Sequence, residues 1–294
     1  IFPTTTPNAR PVSRSSLYST RGAGPDERGS APSYFPPCVH RYSLRAFAKM
    51  ERLTPVEQIA VTASAFEALY EPAEKITTVM VDNFPALGRL SALRFLEWVQ
   101  DHPEGVICLP TGKTPEHFIR WVQHLLETWQ QPTTQAELEA AGIDASRKPQ
   151  LRGLHFVQID EFYPIDPGQA NSFHAYVTRF YLQGFGLDAN RALLMDCRQI
   201  GLLPHQTLES VWGESGEVDL SLRYRAATDH REKEQQQTLA RIDQWCQEYE
   251  QRIRQLGGIG FFLGGIGPDG HIGFNVRGSD HLSTTRLTQV NYET

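Results

Sequence analysis

The chain has 294 residues, of which 40% are hydrophobic and 21% charged, and its net charge is −6. This composition is typical of a globular protein with one large or two small domains. The negative charge and the lack of a long basic run argue against a nucleic-acid partner. No uninterrupted apolar stretch is long enough for a transmembrane helix. Four scattered cysteines without a Cys-x-x-Cys pair predict free thiols, no metal site and a cytoplasmic location.

The first 49 residues differ from the rest. They are rich in Pro, Ser, Gly and Arg and show no apolar period, so residues 1–49 are predicted to be a disordered or artefactual tail. Two interpretations stay open: an organelle transit peptide, or sequence preceding a true start at Met50. The domain is predicted to span 50–294. Because the chain ends soon after a glycine-rich turn, we expect a C-terminally incomplete sheet, and we expect this chain alone to be inactive.

Apolar periodicity predicts alternating helices and strands from residue 54 onward. The predicted elements are a helix at 54–70, a helix at 84–99, a strand at 106–109, a helix after 115, a strand at 154–159, a helix at 172–182, a helix at 239–256 and a strand at 259–263. This order predicts an α/β fold: a Rossmann-like, doubly wound, mostly parallel sheet with helices on both faces. The polar segments near 129–150 and 196–235 are predicted insertions.

Two of the predicted helices carry N-terminal capping signals. Thr54 is predicted to cap the first helix, with Pro55 in its first turn and Glu57 completing a capping box. Thr114 is predicted to cap the helix after residue 115, and Pro115 suits the first turn of that helix. Both patterns rest on local sequence alone.

Three strand ends carry residues suited to chemistry. The first is Thr111-Gly112-Lys113-Thr114, which follows a predicted strand and precedes a helix. Free backbone N–H groups, the helix dipole and the Lys113 ammonium together favour an anion such as phosphate. The alternative is an ordinary strand-to-helix turn without a ligand.

The second strand end carries the adjacent carboxylates Asp160 and Glu161. Packing does not require them there, and in an open α/β sheet the carboxyl ends of strands are where ligands bind. One of them is a candidate general base, and the alternative is that they cap a turn.

The third strand end is the glycine-rich turn 264–271, which brings Asp269 and His271 two residues apart after a strand predicted to be buried. Its glycines, Gly265 and Gly267 among them, allow backbone amides to approach a ligand closely. The pair is suited to proton transfer, with Asp269 orienting the imidazole. The segment also matches G-x-G-x-x-G, but no helical period follows it, so a dinucleotide site is not predicted.

In this order, these segments resemble the glucosamine-6-phosphate isomerase/deaminase family. The resemblance covers roughly residues 55–294 and rests on motifs at the three strand ends and beside them. The matching segments are 109–115, Ile159-Asp160-Glu161-Phe162-Tyr163, Asn171-Ser172-Phe173, Cys246-Gln247-Glu248-Tyr249-Glu250 and 264–275.

The resemblance implies an enzyme that converts an amino sugar 6-phosphate, such as glucosamine 6-phosphate, to a ketose phosphate and ammonia. Asp160 would shuttle a proton between C1 and C2, and His271, oriented by Asp269, would assist ring opening. The implied ligands of substrate and phosphate are Thr111, Gly112, Lys113, Thr114, Glu161, Ser172, Gly265, Gly267, Asn275 and Arg286. No cofactor or metal is implied. The implied partner is a small phosphorylated sugar, without membrane or nucleic acid, and a homo-oligomer is possible.

Two alternatives remain. The deaminases usually carry Glu after the motif's Asn, where this chain has Val276, which leaves a non-catalytic sugar-phosphate sensor as one alternative. The other is a hydrolase resembling 6-phosphogluconolactonase, which shares the Asp-Gly-His motif. The segment 272–275 and the pair Phe162-Tyr163 favour the deaminases over the lactonases.

Overall fold

The fold is built on a parallel sheet of four short strands. The computed structural model describes residues 53–63, 78–267 and 269–290, so the predicted tail 1–49 lies outside the described residues. The strands are β1 (Val106–Cys108), β2 (His155–Val157), β3 (Ala192–Leu193) and β4 (Phe261–Phe262), in the order β3-β2-β1-β4. All three pairings are parallel. The predicted α/β class is confirmed.

Helices connect the strands, as the βαβ pattern requires. They are α1 (Pro55–Ala63), α2 (Phe84–Asp101), α3 (Glu116–Thr128), α4 (Pro132–Ala140), α5 (Phe173–Val177), α6 (Leu208–Trp212) and α7 (His230–Gln255). A π-helical turn, Thr178–Gln183, extends α5, and 3₁₀ turns lie at Ala189–Arg191 and Leu220–Arg223. Among the described residues, no helix has the length and apolar character needed to span a bilayer.

The two faces of the sheet carry separate hydrophobic cores. Successive strand residues point to opposite faces, so Ile107 and Leu109 enter one core while Val106 and Cys108 enter the other. Buried residues of α2, α3 and α4 complete the first core, and those of α6 and α7 complete the second. Helices therefore cover both faces, as predicted.

The first helix begins with the predicted capping box. The backbone N–H of Thr54 donates to Glu57 Oε2 (2.9 Å), and the backbone N–H of Glu57 donates to Thr54 Oγ1 (3.3 Å). Pro55 is the first helical residue, where its missing N–H costs no hydrogen bond. Residues 64–70 of this predicted helix lie outside the described residues.

The two segments predicted as insertions supply core residues. Trp129 is fully buried in the first core, and its Nε1–H donates to the carbonyl oxygen of Ala145 (2.8 Å). From the second segment, Trp212 and Leu222 are buried in the core beneath α7. These polar segments contain few apolar residues, and those residues follow no clear period. The large ones among them pack into the two hydrophobic cores.

The strand β4 was predicted to be buried, and that prediction is wrong. Phe262 is 51% exposed, and Phe261 is only half-buried, packing against Phe95 with ring centroids 5.4 Å apart. The reason is position: in the described part of the sheet, β4 is at the edge and pairs with β1 alone. An apolar sequence shows that a strand forms, but not whether both of its faces are covered.

The described cysteines lie in the interior. Cys108, Cys197 and Cys246 are buried with free thiols, while Cys38 lies outside the described residues. Cys108 and Cys246 belong to the same core cluster, one from β1 and the other from α7. Burial is the main cause that raises the pKa of each of these three thiols.

Candidate active site

The three predicted strand ends meet at the carboxyl edge of the sheet. A Cβ atom placed on Gly265 would lie 3.6 Å from Thr114 Cγ2, so the turn after β4 touches the loop after β1. A Cβ atom on Gly273 would lie 3.0 Å from Ile159 Cγ2 and 3.9 Å from Asp160 Oδ2. The same glycine-rich segment thus contacts the ends of both β1 and β2, as the parallel register requires.

Asp160 is held directly after β2 by its buried neighbour Gln158. The Nε2 of Gln158 donates to the carbonyl oxygen of Asp160 (2.9 Å), and its Oε1 accepts from the backbone N–H of Met195 (2.9 Å). Burial and, second to it, the negative charge of Glu161 raise the pKa of the Asp160 carboxyl to about 7, while His271 opposes the rise. A carboxyl with this pKa exchanges protons readily near neutral pH.

His271 and Asp269 form a close pair. The Nδ1 of His271 lies 2.5 Å from Oδ1 of Asp269, and both side chains are largely shielded from solvent. The backbone N–H of Gly267 donates to the carbonyl oxygen of His271 (2.9 Å), which closes the turn. The carboxylate fixes the orientation of the imidazole and leaves Nε2 as the nitrogen opposite that contact.

Glu161 anchors the N-terminus of α5. Its Oε1 accepts from the backbone N–H groups of Phe162 and Phe173, both at 2.9 Å. Its Oε2 accepts from Ser172 Oγ (2.8 Å) and from the backbone N–H of His174 (2.7 Å). A carboxylate at a helix N-terminus satisfies N–H groups that have no partner within the helix. The two adjacent carboxylates therefore differ in environment, and Glu161 holds structure next to Asp160.

Ser172 lies beneath the site. Its side chain is fully buried, and the hydroxyl both donates to Glu161 and accepts from the backbone N–H of Ala175 (3.3 Å). It is the N-cap of α5. These contacts give Ser172 an anchoring position that supports Glu161.

The loop 111–114 is open to solvent. Gly112 has a φ of +83° with open space on its Cβ side, and Lys113 is exposed. The buried Tyr181 hydroxyl donates to the carbonyl oxygen of Pro110 (2.5 Å) and fixes the start of this loop. The predicted cap by Thr114 is wrong: Pro115 is the N-cap of α3, without a side-chain hydrogen bond. Thr114 packs against Gly265 instead, so the first N–H groups of α3 have no side-chain cap.

A cavity of about 430 Å³ opens beside Asp160. Its polar side includes Asn275 and Arg286, and Arg286 Nη2 donates to Asn275 Oδ1 (2.8 Å). Its other side is apolar and includes Ile242 and Trp245 of α7. Neither His271 nor the loop 111–114 lines this cavity, but residues 272–275, which directly follow His271, do.

An aromatic cluster was not predicted. The rings of Phe162, Phe173 and Phe274 contact one another, with centroids 4.8 to 5.8 Å apart. Phe274 also has a φ of +62°, unusual for an aromatic residue. The one available signal was position, because Phe162 and Phe274 each follow a predicted site motif within the sequence.

The G-x-G-x-x-G match is not followed by a helix. Ile272 and Asn275 close a tight antiparallel turn, and the described residues 276–290 form no helix or strand. A dinucleotide site requires a helix N-terminus at this point to receive the pyrophosphate. The described residues that follow this segment do not supply such a helix.

Comparison with known proteins supports the motif reading. Over 49 residues the chain is 55% identical to glucosamine-6-phosphate deaminase from Caenorhabditis elegans, covering 17% of the chain and 18% of that protein. Over 213 residues it is 24% identical to glucosamine-6-phosphate deaminase from Halothermothrix orenii, covering 72% of the chain and 64% of that protein. The predicted resemblance to glucosamine-6-phosphate deaminases is confirmed. No family model matches the chain.

The matches to these deaminases are partial. The chain covers less than two thirds of the length of each of these two relatives. A solved structure of a monomeric glucosamine-6-phosphate deaminase aligns with a TM-score of 0.47 at 22% identity, covering 72% of the chain and 64% of that structure.

Proposed function

We propose that the chain catalyses isomerisation and deamination of an amino sugar 6-phosphate, with glucosamine 6-phosphate giving fructose 6-phosphate and ammonia. The observation that carries the proposal is Asp160, a carboxyl whose pKa is raised by burial to about 7, next to the turn that holds the His271–Asp269 pair. The deaminase relatives support the choice of substrate class. No observation favours the lactonase or the sensor.

Ring opening is the first step and uses His271. A pyranose opens when the hydroxyl at C1 loses its proton and the ring oxygen gains one. The imidazole can carry a proton between these two oxygens because Asp269, 2.5 Å from Nδ1, holds the ring in one orientation. This step requires the imidazole to face the sugar through Nε2.

Isomerisation is the second step and uses Asp160. Its carboxylate takes the proton from C2 of the open-chain aldose, and the electron pair of that bond forms the C1–C2 double bond. The π pair of the C1 carbonyl moves to its oxygen, which takes a proton from water, and the product is an enolamine. Returning the proton to C1 leaves an iminium at C2, which water hydrolyses to the ketone and ammonia. A base with a pKa of about 7 is well matched to both directions of this transfer. The substrate undergoes no net oxidation or reduction, so the sequence of steps needs no redox cofactor.

The phosphate is proposed to bind the loop 111–114. The first N–H groups of α3 have no side-chain cap, Gly112 leaves open space, and Lys113 supplies an exposed positive charge. Contact between Thr114 and Gly265 places this loop beside the catalytic turn. Across Asp160, the linked pair Arg286 and Asn275 offers further polar groups to the sugar.

Val276 limits how ring opening can occur. Its backbone carbonyl accepts from Ser279, and its side chain has no group that can exchange a proton. Glu161 is the nearest carboxylate in sequence to Asp160, but both of its oxygens hold the helix α5. We therefore propose that the His271–Asp269 pair performs ring opening without a third carboxylate.

Ammonia release from glucosamine 6-phosphate tests the proposal. The sequence alone predicts an inactive chain, whereas the present proposal expects the chain to release ammonia with formation of a ketose phosphate, so this assay decides between the two. Asp160→Asn is expected to reduce kcat by about 1,000-fold or more. The matched control is Asp82→Asn, because Asp82 is exposed and does not line the cavity beside Asp160. Equal ammonia release by wild type and Asp160→Asn contradicts the assignment, as does turnover of a sugar lactone alone.

A further inference from the structure

The segment 272–275 forms a tight turn with an unusual residue in it. The backbone N–H groups of Ile272 and Asn275 each donate to the other residue's carbonyl oxygen, at 3.1 and 2.9 Å. The two central residues, Gly273 and Phe274, have φ values of +54° and +62°. This is the pattern of a type I′ turn, whose central positions favour Gly, Asn and Asp. An aromatic side chain at a left-handed position requires compensation from its surroundings.

Ring packing supplies that compensation. The Phe274 ring lies 4.8 Å from the ring of Phe162 and 5.8 Å from that of Phe173, measured between centroids. The rings of Phe162 and Phe173 also contact each other at 5.1 Å. Each such contact favours the arrangement in which the Phe274 side chain is clamped by the other two rings.

One carboxylate fixes both rings that hold Phe274. Glu161 Oε1 accepts from the backbone N–H of Phe162 and from that of Phe173, both at 2.9 Å. The two residues are far apart in sequence, so this shared acceptor sets the spacing of the rings. The position of Phe274 therefore depends on Glu161.

The other central residue of the turn faces Asp160. A Cβ atom on Gly273 would lie 3.0 Å from Ile159 Cγ2 and 3.9 Å from Asp160 Oδ2, so the Cβ side of Gly273 faces this carboxylate. Phe274 and Asp160 both line the cavity beside β2. Glu161, the residue next to Asp160, holds Phe162 and Phe173. The rings of these two residues contact Phe274, and the neighbouring Gly273 faces Asp160.

We propose that Phe274 is a positioning residue: its ring, held by Phe162 and Phe173, keeps the backbone of Gly273 over the carboxylate of Asp160. The catalytic consequence rests on the proposed function, because it concerns the base of that reaction. The turn keeps water from one side of the carboxylate, and this desolvation favours its protonated form. Loss of the ring removes the restraint on the left-handed turn and lets water reach Asp160.

Substitution at position 274 leaves the charges near Asp160 unchanged. The titratable groups that act on Asp160 are Glu161, the imidazole of His271 after β4, and the thiol of Cys108 at the end of β1. The cavity adds further charged or titratable side chains: Tyr163, Cys197, Cys246, Glu250 and Arg286. A change in Asp160 titration on removal of an uncharged ring therefore reports solvent access and geometry, not a lost charge.

The test is a carbon NMR titration of aspartate-labelled full-length chain, without substrate, with the Asp160 signal assigned by its loss in Asp160→Asn. Phe274→Ala and Phe274→Gly are expected to lower the titration midpoint of Asp160 by about one pH unit or more. Phe274→Tyr keeps a ring and is expected to restore the wild-type midpoint. Phe84→Ala is the matched control, because Phe84 is 72% exposed at the start of α2.

The glycine variant keeps the test decisive if the alanine variant fails to fold, because glycine adopts the left-handed conformation without strain. An Asp160 midpoint that stays at the wild-type value in folded Phe274→Gly overturns the proposal. So does a midpoint that falls equally in Phe84→Ala. The titration measures no turnover, so its result is independent of the ammonia assay. If the chain releases no ammonia but the Asp160 midpoint shifts as expected, the proposed function is contradicted and the role of Phe274 is supported.

Discussion

The imidazole of His271 lies directly against the backbone of Gly267. A Cβ atom at residue 267 would approach Cε1 of the ring to 2.1 Å and both ring nitrogens to 2.4 Å. No side chain fits in that space while the ring keeps its place. Gly267 is thus required by the close approach of the imidazole, and the glycine-rich turn sets the position of the ring.

Gly267→Ala is expected to displace the His271 ring from Asp269 and to lower kcat for ring opening by about 100-fold, the scale of one acid–base group. The measurement is ammonia release from glucosamine 6-phosphate. Supplying a substrate analogue that is already open-chain is expected to restore most of the rate.

Gly168→Ala is the control for this change. Gly168 is exposed, its φ is not left-handed, and its one close neighbour is the carboxylate of Asp166. Wild-type activity in Gly267→Ala, with the chain folded, contradicts the assignment of His271 to ring opening.

Stability measured against pH tests the environment of Asp160 without any substrate. The folded-state pKa of about 7 exceeds the unfolded value of 3.8, so the folded state binds the Asp160 proton more tightly. Ionisation of Asp160 in the folded state therefore lowers the free energy of unfolding. This loss is absent at pH values below the unfolded-state pKa of Asp160 and complete above its folded-state pKa. Asp160→Asn removes this loss, so the variant is expected to exceed wild type by about 2–4 kcal/mol in unfolding free energy near pH 8 and to match it near pH 4.

Urea unfolding at a series of pH values measures this difference, with Asp82→Asn as the charge-matched control. A constant difference between Asp160→Asn and wild type across the range would show that Asp160 titrates as an exposed carboxyl does.

The rate of the proposed reaction is expected to fall in acid. The base form of Asp160 is the unprotonated carboxylate, so kcat/KM is expected to drop about tenfold for each pH unit below its pKa of about 7. Steady-state rates from about pH 5 to about pH 9 check this. A profile that stays flat down to pH 5 is incompatible with Asp160 as the base.

Lys113→Ala is expected to raise KM for the phosphorylated sugar about tenfold with little effect on kcat, because one charge-assisted contact to phosphate is lost. Lys148→Ala is the matched control, since Lys148 is also exposed but lies outside the strand ends. The inhibition constant of inorganic phosphate is expected to rise in parallel. An unchanged KM in Lys113→Ala would remove this side chain from the phosphate site.

Local patterns predicted most of the fold. The strands β1 and β2 and the helices α2 and α3 follow from apolar runs and periods that depend only on neighbouring residues. The two-residue strand β3 was missed, because so short a segment has no period and exists through its pairing with Phe156 and Val157. The long helix α7 begins at His230, earlier than predicted, because its first turns are polar and capped by Asp229.

The site was predictable where polar residues directly follow apolar strands. Asp160 and His271 stood out for that reason, and the sheet brings their segments together. The contact of Phe274 with Phe162 and Phe173 joins three separate segments, so no local pattern predicts it. The sequence allowed Asp160 and Glu161 to cap a turn, but it did not identify the partners of Glu161. The N–H groups that donate to Glu161 belong to a helix later in the chain.

The reactivity of two buried thiols, Cys108 and Cys246, can report when the second hydrophobic core opens. Alkylating reagents attack thiolates, and burial keeps Cys108 and Cys246 protonated and out of reach. One lies in the central strand and the other in the helix that covers it, within a single core cluster. Labelling of both at one common rate would mean that helix and strand separate as one cooperative unit, a movement that a catalytic assay does not detect.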